Sequence, residues 1–281
     1  MNVEKLFENL TQEVRRLVPK DMKITSIEFE GPLVVIYTPE YDKYSSNDSL
    51  GRMLALNLHR RVDIRPDPST LADPAEVEKK IRSMIPESAE IYDIYFTEET
   101  GVATIEAINT SEVSGKENQR LWELRSETGW NVKVARAPPI PSKTVSDVRG
   151  YLRANHDERL SMLKSVARNI SREPLPGEQW VRMTTMGGFR QVGRSASLLM
   201  TKESRVLIDC GLDPGSDATP YFSIPEADIS KIDAVVVTHA HLDHCGTLPA
   251  LFKYGYKGPV YCTPPTRDLM ALLQLDNIKL G

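Results

Sequence analysis

The sequence predicts a chain of mixed α/β and α+β class, in which two small modules precede a larger domain rich in strands. One order of elements, helix, strand, strand, helix, strand, occurs twice before residue 140. After residue 177 the pattern changes to short apolar strands separated by glycine-containing turns. One of those strands runs directly into a cluster of histidine and aspartate side chains at 239–244.

Residues 1–70 form the first predicted module. Apolar residues recur at helical spacing over residues 3–18, and Pro19 ends that helix. The remaining elements are two strands at 23–30 and 33–37, a helix at 50–61 and a strand at 62–65. Pro66 and Pro68 close the module, because proline cannot extend a strand ladder.

Residues 71–140 repeat this order as a second predicted module. The elements are a helix at 75–85, strands at 91–96 and 102–108, a helix at 118–127 and a strand at 131–135. Pro86 follows Pro19 by 67 positions, and Val132 follows Val62 by 70. A nearly constant offset between equivalent elements indicates a duplicated supersecondary unit.

Residues 141–177 are predicted to form a helical linker, and residues 178–281 the last domain. Apolar residues at helical spacing predict one helix over 145–170, and Pro174, Pro176 and Gly177 mark the main domain boundary. Further elements are strands at 181–185, 197–200, 206–209, 234–238 and 260–262, and helices at 248–252 and 267–275. The strand at 234–238 is apolar almost throughout, which is typical of a strand buried on both faces.

The composition excludes several classes of protein. The net charge of −4 gives the whole chain no electrostatic preference for nucleic acid, so RNA would need a local surface. No apolar stretch approaches the roughly 20 residues that cross a bilayer, and no signal peptide precedes the first helix, so no membrane association is expected. Three cysteines are too few for a disulfide framework, and a reducing cytoplasm is the expected location.

A metal-binding pattern follows the strand at 234–238. His239 and His241 lie two positions apart, so in extended chain both imidazoles can face one ion. Asp243 and His244 follow in the turn and are placed to bind a second ion. Imidazole and carboxylate donors together suit zinc, and open coordination positions are typical of catalytic sites. Two alternatives are a solvated histidine-rich turn and a single-ion site, and the adjoining Asp243 and His244 argue against the second.

The motif H-A-H-L-D-H, with the following Cys245 and Gly246, resembles the metallo-β-lactamase fold. The stretches G-G-F-R-Q-V-G-R-S at 187–195 and V-L-I-D-C-G at 206–211 resemble its RNA-processing branch. That branch contains the β-CASP ribonucleases related to the nuclease subunit of the cleavage and polyadenylation specificity factor. The whole chain resembles the N-terminal part of an archaeal member. The resemblance implies two small KH-like α/β modules followed by the N-terminal half of a metallo-β-lactamase αββα sandwich.

The resemblance also implies a reaction, a cofactor and roles for site residues. Two zinc ions are expected, one held by His239 and His241 and the other by Asp243 and His244. Asp243 would also orient the attacking water, and Asp209 would support the site through hydrogen bonds. The alternative for Asp209 is a turn residue that ends a strand before Gly211. The implied function is a zinc-dependent endoribonuclease that acts on single-stranded RNA in mRNA 3′-end cleavage, transcription termination or RNA decay.

The family's site needs ligands that this sequence does not supply. A third histidine on the first ion, a bridging aspartate and a further histidine on the second ion are expected, yet no histidine follows His244. The sequence is therefore interpreted as a fragment with an incomplete metallo-β-lactamase domain, inactive or only partly active alone. Two other functions stay open. One is a protein that binds RNA, or a second copy of itself, without catalysis, and the other is a hydrolase of small esters or thioesters.

KH modules grip four nucleotides with a G-x-x-G loop between two helices. At that position the second module has residues 115–118, with glycine only at Gly115, and the first module has residues 45–48, with none. The residues expected to contact RNA are all in the second module: Gly115, Lys116, Arg120, Arg125 and Lys133. The alternative is that both modules are scaffolds without the usual phosphate clamp.

Overall fold

The computed structural model describes residues 3–45, 49–138, 140–173 and 175–280. The chain divides into two compact units, Met1–Pro141 with Arg153–Glu173, and Ser142–Leu152 with Pro174–Gly281. Pro174, one of the residues that mark the predicted boundary, lies outside the described residues. None of the described helices combines the length and the apolar character that a membrane crossing requires.

In the first module of the first unit, the central strand has one antiparallel and one parallel neighbour. Its elements are α1 (Val3–Leu17), β1 (Ser26–Glu30), β2 (Leu33–Thr38), α2 (Tyr41–Ser45), α3 (Ser49–Leu58) and β3 (Arg61–Pro66). β2 pairs antiparallel with β1 and parallel with β3. The helices pack on one face of this sheet, where Val14, Val34, Ile36 and Leu54 are fully buried or nearly so.

The second module repeats that topology. Its elements are α4 (Pro74–Met84), β4 (Ile91–Thr97), β5 (Val102–Ala107), α5 (Thr110–Ser114), α6 (Gln119–Thr128) and β6 (Asn131–Arg136). β5 lies between an antiparallel β4 and a parallel β6. Trp130 is fully buried, and its ring meets the ring of Phe96 edge-on at a centroid distance of 4.9 Å. The short helices α2 and α5 escaped the sequence analysis because five residues are too few for a periodic apolar pattern.

The two modules contact each other within the first unit. Asp63 of β3 accepts hydrogen bonds from Lys133 Nζ and Asn131 Nδ2 of β6, both at 3.5 Å. The carboxylate also accepts from Arg65 Nε at 3.0 Å. Burial alone would raise the pKa of Asp63, but the two cations and their hydrogen bonds outweigh it, so this pKa lies below its ordinary value.

This lowered pKa predicts a pH-dependent contribution to stability. A carboxyl whose pKa is lower in the folded than in the unfolded chain stabilises the folded state at pH values above its unfolded pKa of about 3.9. This stabilisation is lost as the pH falls through the pKa of the folded chain. The difference in free energy of unfolding between the wild-type chain and Asp63→Asn should therefore be largest near pH 6 and shrink below about pH 4. Urea unfolding across this range measures it. A difference that grows toward acid would contradict the prediction.

The segment predicted as one helix over 145–170 is two helices, so that prediction was wrong. α7 (Lys143–Ala154) and α8 (His156–Ile170) are separated at Asn155, whose φ of −103° and ψ of 38° are not helical. Asparagine favours such interruptions because its side chain competes for backbone hydrogen bonds. α8 packs on β1 in the first unit, where the N–H of Gly31 donates to the carbonyl of Leu163 at 2.8 Å.

The second unit is built on a five-stranded sheet in the order β11-β10-β9-β8-β7. Its elements are β7 (Val181–Gly187), β8 (Ala196–Thr201), β9 (Arg205–Ile208), β10 (Ala234–Val236), α9 (Leu242–Cys245), α10 (Leu248–Lys253), β11 (Val260–Tyr261) and α11 (Pro264–Leu280). β7, β8 and β9 are antiparallel to one another in turn, and β9, β10 and β11 are parallel. Leu198, Leu207 and Val235 are fully buried in its core.

The expectation that the strand at 234–238 is buried on both faces was also wrong. Val235 points into the core, whereas Val236 points the other way and is 37% exposed. The described residues therefore cover only one face of the sheet at this strand. One-sided burial is what half of a sandwich would show, and the incompleteness of residues 178–281 as a domain stays a prediction.

Candidate metal centre

Two parallel strands bring the sequence-predicted residues together at their carboxyl ends. Val236 of β10 lies beside Ile208 of β9, so the residues that follow each strand emerge side by side. The N–H of Asp209 donates to the carbonyl of Val236 at 2.9 Å, and a left-handed φ of 59° turns the chain at Asp209. The carboxyl edge of parallel strands is where sites of α/β proteins commonly form.

The turn after β10 folds the motif back on itself. α9 begins directly after His241, and the N–H of His244 donates to the carbonyl of His241 at 2.9 Å. This single turn returns the His244 ring to within 4.0 Å of the His239 ring, measured between centroids. The rings of His239 and His241 meet edge-on at 4.9 Å. The three imidazoles therefore form one cluster at the strand end.

The donor atoms of the motif are arranged in two pairs. His239 Nε2 lies 3.1 Å from His241 Nδ1, and His244 Nε2 lies 3.6 Å from Asp243 Oδ2. Two ligands about 2.0–2.2 Å from one tetrahedral zinc ion are about 3.3 Å apart, so both pairs fit this spacing. Across the described part of the chain, no group of three or more His, Cys, Asp or Glu side chains could hold a metal ion. Each pair would supply two of the four donors that a tetrahedral zinc ion takes.

Asp209 supports the histidine cluster through hydrogen bonds with His244 and Thr238. Its Oδ2 accepts from His244 Nδ1 at 2.8 Å, and its Oδ1 accepts from the N–H of Thr238 at 2.8 Å. A metal-binding histidine commonly donates its other ring N–H to a carboxylate, which fixes the ring and its tautomer. The side chain of Asp209 is only 6% exposed, so this contact is shielded from water.

Thr238 is a site residue that the sequence analysis missed. Its hydroxyl oxygen lies 2.9 Å from Asp209 Oδ2 and 3.1 Å from His239 Nδ1. The only signal in the sequence was its place directly before the first histidine of the motif. That signal is weak because a threonine at a strand end is common in any β structure.

The backbone of the glycine-rich stretch at 187–195 holds the turn at 239–244 in place. The N–H of Ser195 donates to the carbonyl of Asp243 at 2.8 Å, and the N–H of Gly211 donates to the carbonyl of Ser195 at 2.9 Å. A Cβ on Gly211 would overlap the carbonyl oxygen of Asp243 and lie 2.8 Å from the nitrogen of Ser195. Three segments therefore meet at a position where only glycine fits.

Arg194 and Ser195 brace the neighbourhood of the site. The Arg194 guanidinium lies 4.2 Å from the centre of the Tyr221 ring and donates to the Tyr221 hydroxyl at 2.6 Å. It also donates to Gln191 Oε1 at 2.9 Å. These contacts hold an exposed aromatic ring and a cation next to the segment that contacts Asp243.

The cysteines beside the motif are not placed as ligands. Cys210 and Cys245 are fully buried. Burial raises the pKa of Cys210 well above its ordinary value and that of Cys245 to about 11. Both therefore remain neutral thiols near pH 7, whereas metal ions bind the thiolate.

Of the five residues expected to contact RNA, Lys133 lies on β6 and the other four lie on α6 or between α5 and α6. Three of the four cations have partners inside their unit. Arg120 donates to the carbonyl of Glu112, Arg125 Nε donates to the carbonyl of Val132 at 3.0 Å, and Lys133 contacts Asp63. Gly115 has a φ of 71° and ends α5, and Lys116 is exposed beside it. In the first module, Ser46, Asn47 and Asp48 of the equivalent loop lie outside the described residues.

Two family descriptions match parts of the chain. Residues 4–71 match "Transcription termination factor FttA, KH domain", and residues 204–274 match "Beta-lactamase superfamily domain". The second match contains Asp209 and the whole motif at 239–244. The two matched segments lie in the first module and in the five-stranded unit.

Curated relatives match the chain over its whole length. Proteins named transcription termination factor FttA are 48% identical in Methanosarcina mazei, 42% in Methanocaldococcus jannaschii and 39% in a Lokiarchaeum species. Each alignment covers 100% of this chain and 44–45% of the relative. The chain thus spans somewhat less than half the length of these relatives.

Proposed function

This chain is homologous over its whole length to archaeal proteins named transcription termination factor FttA, and from that premise we propose that it forms part of a zinc-dependent endoribonuclease. The substrate class is single-stranded RNA, and the process is mRNA 3′-end cleavage, transcription termination or RNA decay. The β-lactamase superfamily segment supports a hydrolase, and the KH segment supports RNA as its partner. The observation that carries the proposal is the spacing of the possible metal ligands at 239–244. His239 Nε2 lies 3.1 Å from His241 Nδ1, and His244 Nε2 lies 3.6 Å from Asp243 Oδ2.

His239 with His241, and Asp243 with His244, are the residues that would hold the two ions. Zinc bound at such a site supplies a hydroxide nucleophile at neutral pH and stabilises charge on the phosphate. The chain's own residues hold the donors still: Asp209 fixes the His244 ring, and Ser195 fixes the carbonyl of Asp243. The Asp243 side chain is 35% exposed, so it is open to the attacking water and can accept its hydrogen bond.

The surroundings of the site offer contacts that suit single-stranded RNA. Phe189 and Tyr221 expose about half of their surface, and Arg194 stacks on the second ring. Single-stranded nucleic acids bind to exposed aromatic rings, which stack on bases, combined with cations that contact the backbone. Arg190 lies beside Phe189 on the same glycine-rich stretch and is exposed. In the second module, Lys116 is the cation best placed for a phosphate.

The proposal is tested with a protein of the relatives' full length that contains these residues. That protein is expected to bind two zinc ions and to cleave single-stranded RNA. Asp243→Ala should lower kcat/KM by on the order of a hundredfold or more, because it removes both a metal donor and a partner for the water. The 281-residue chain alone should bind zinc weakly and cleave negligibly, since the residues that the structure describes offer only two donors to each ion. Elemental analysis and a labelled RNA measure these outcomes.

Asp276→Ala is the matched control, because this aspartate is 72% exposed on α11 and takes no part in the site. Its zinc content and cleavage rate should equal those of the unsubstituted protein. Cleavage at the full rate in Asp243→Ala would overturn the proposal. Stoichiometric zinc together with RNA cleavage by the 281-residue chain alone would contradict the expected inactivity of this chain.

Two other functions give different results in the same experiment. A protein that only binds RNA would keep its RNA affinity and show no cleavage at full length. A hydrolase of small esters or thioesters would turn over those substrates and leave RNA intact. The KH segment favours the ribonuclease over the second alternative, because an RNA-binding module has no use in a small-molecule hydrolase.

We also propose a cytoplasmic location for the protein. Its three cysteines are free thiols, and two of them are fully buried, which suits a reducing compartment. Pairing with a second copy of the chain, the other partner that the sequence suggests, would be measured by sedimentation at several concentrations. Fractionation of cells with an antibody to the chain tests the location.

A further inference from the structure

We propose that the hydroxyl of Thr238 selects the tautomer of His239 and connects the two donor pairs through Asp209. Thr238 is then a positioning residue that prepares Nε2 of His239 as a ligand without touching the ion itself. This inference rests on the proposed function, because it assumes that His239 and His244 serve as metal ligands. Nothing in the family descriptions assigns a role to Thr238.

Thr238 is exposed, and the protein groups nearest its hydroxyl are a carboxylate and two imidazoles. Thr238 Oγ1 lies 3.0 Å from Asp209 Oδ1 and 2.9 Å from Oδ2, and 3.1 Å from His239 Nδ1. The His244 Nδ1 atom is 3.5 Å from the same oxygen, but only 2.8 Å from Asp209 Oδ2. His244 therefore donates to the carboxylate, and the Thr238 hydroxyl serves His239.

The direction of each hydrogen bond follows from what the groups can donate. A carboxylate only accepts, so the single proton of the Thr238 hydroxyl points to Asp209. Its lone pairs then face His239 Nδ1, which must carry a proton in order to bond to them. His244 Nδ1 must carry a proton for the same reason, since it also faces Asp209. In the neutral form of each ring, Nε2 is then the unprotonated nitrogen.

The unprotonated nitrogens are the ones that face the other donors of each pair. His239 Nε2 lies 3.1 Å from His241 Nδ1, and His244 Nε2 lies 3.6 Å from Asp243 Oδ2. One buried carboxylate thus orients a ligand of each ion, directly for His244 and through a hydroxyl for His239. Valine has the shape of threonine but cannot pass on this hydrogen bond, whereas serine can.

The inference is tested by nitrogen-15 NMR of the metal-free 281-residue chain with labelled histidine. Spectra are recorded at about pH 8.5, where an ordinary imidazole with a pKa near 6.5 is neutral. In the wild-type chain and in Thr238→Ser, His239 should show a protonated Nδ1 and an unprotonated Nε2. In Thr238→Val, the proton of His239 should shift largely to Nε2. His59, which is exposed at the end of α3, is the internal reference and should not change.

Zinc titration of the same three samples gives an independent measurement. Thr238→Val should need about tenfold more zinc than Thr238→Ser for half of the shift in the His239 resonances, which is the usual scale for losing such a supporting contact. The inference is overturned if His239 keeps its Nδ1 proton in Thr238→Val, or if serine fails to restore the wild-type spectrum while its amide spectrum stays native. If the tautomers behave as expected but zinc shifts no histidine resonance in any sample, the two donor pairs do not bind zinc in the 281-residue chain, and the tautomer assignment stands.

Discussion

Gly211→Ala is expected to disrupt the turn at 239–244 and to lower the stability of the second unit by about 2–4 kcal/mol, which reaches beyond the usual range of about 1–3 kcal/mol for overpacking. The added Cβ would overlap the carbonyl oxygen of Asp243, which is backbone and cannot rotate away as a side chain could. The turn that carries Asp243 would have to move away from the segment after β9. The loss should therefore appear in the site and in stability together.

The contacts around Gly211 explain why the displacement would spread. Its N–H donates to the carbonyl of Ser195 at 2.9 Å, and its carbonyl accepts from the hydroxyl of Thr247 at 2.6 Å. On either side, the N–H of Cys210 donates to the carbonyl of His244, and that of Leu212 donates to Leu242. Separating the two segments would break several of these bonds inside a region that excludes water. A buried group left without its partner costs about 1–3 kcal/mol.

Urea unfolding of the chain and the amide spectrum of residues 241–247 measure this effect. Gly215→Ala is the matched control, because a Cβ at this exposed turn glycine would lie 3.4 Å from its nearest neighbour, an ordinary contact. It should keep the wild-type midpoint within experimental error. A Gly211→Ala chain with wild-type stability and an unchanged spectrum would show that the three segments are less tightly joined than the structure indicates.

Arg65→Met is expected to destabilise the first unit by about 3–5 kcal/mol, because it leaves a buried carboxylate without its partner. Arg65 donates from Nη1 and Nη2 to the two oxygens of Glu30, both at 2.9 Å, and both side chains are almost fully buried. Nη1 also donates to the Tyr37 hydroxyl at 3.2 Å. Burial alone would lower the pKa of Arg65, but its hydrogen bonds to Glu30 and the charge of Asp63 raise it above its ordinary value.

The double variant Glu30→Met with Arg65→Met should recover part of this loss, because the contacts of Arg65 with Asp63 and with the Tyr37 hydroxyl stay lost. Removing both charges leaves apolar side chains of similar size in the core, and such replacements are often close to neutral. The three variants form a double-mutant cycle, in which the free energies of unfolding should depart from additivity by several kcal/mol. A double variant as unstable as the sum of the two single variants would contradict a direct ion pair between these residues.

Arg82→Met is the control for removing an arginine as such. Arg82 pairs with Glu78 one turn earlier on α4, and both side chains are well exposed. Exposed pairs contribute little because water solvates both charges when the pair is broken. The unfolding midpoint of Arg82→Met should therefore stay close to that of the wild-type chain.

The metal donors could be predicted from the sequence because their arrangement is local. Alternation along an extended strand places His239 and His241 on the same side, and one helical turn brings His244 back to them. The stretch at 187–195 could also be recognised in the sequence as typical of the branch. The contacts that it makes in the fold could not be predicted. That its Ser195 holds the carbonyl of Asp243 depends on two segments that are distant in sequence.

The predicted helix over 145–170 shows where local patterns fail. Apolar spacing continues through Asn155, so periodicity predicts one helix, although the backbone breaks there. The cations of the second module are a similar case. Arg120 and Arg125 looked available for RNA in the sequence, yet the fold directs them to backbone carbonyls within their own unit.

The sequence by itself determined the duplicated order of elements and the chemical identity of the donors, because periodicity and short spacings are properties of neighbouring residues. Only the tertiary structure decided which distant residues support those donors. Asp209 reaches His244 across 35 positions because β9 and β10 pair in parallel and end at the same edge. Thr238 acquires its task from that same pairing, which places its hydroxyl between a carboxylate and an imidazole. Strand pairing is a long-range choice made by the packed core, and no short stretch of sequence contains it.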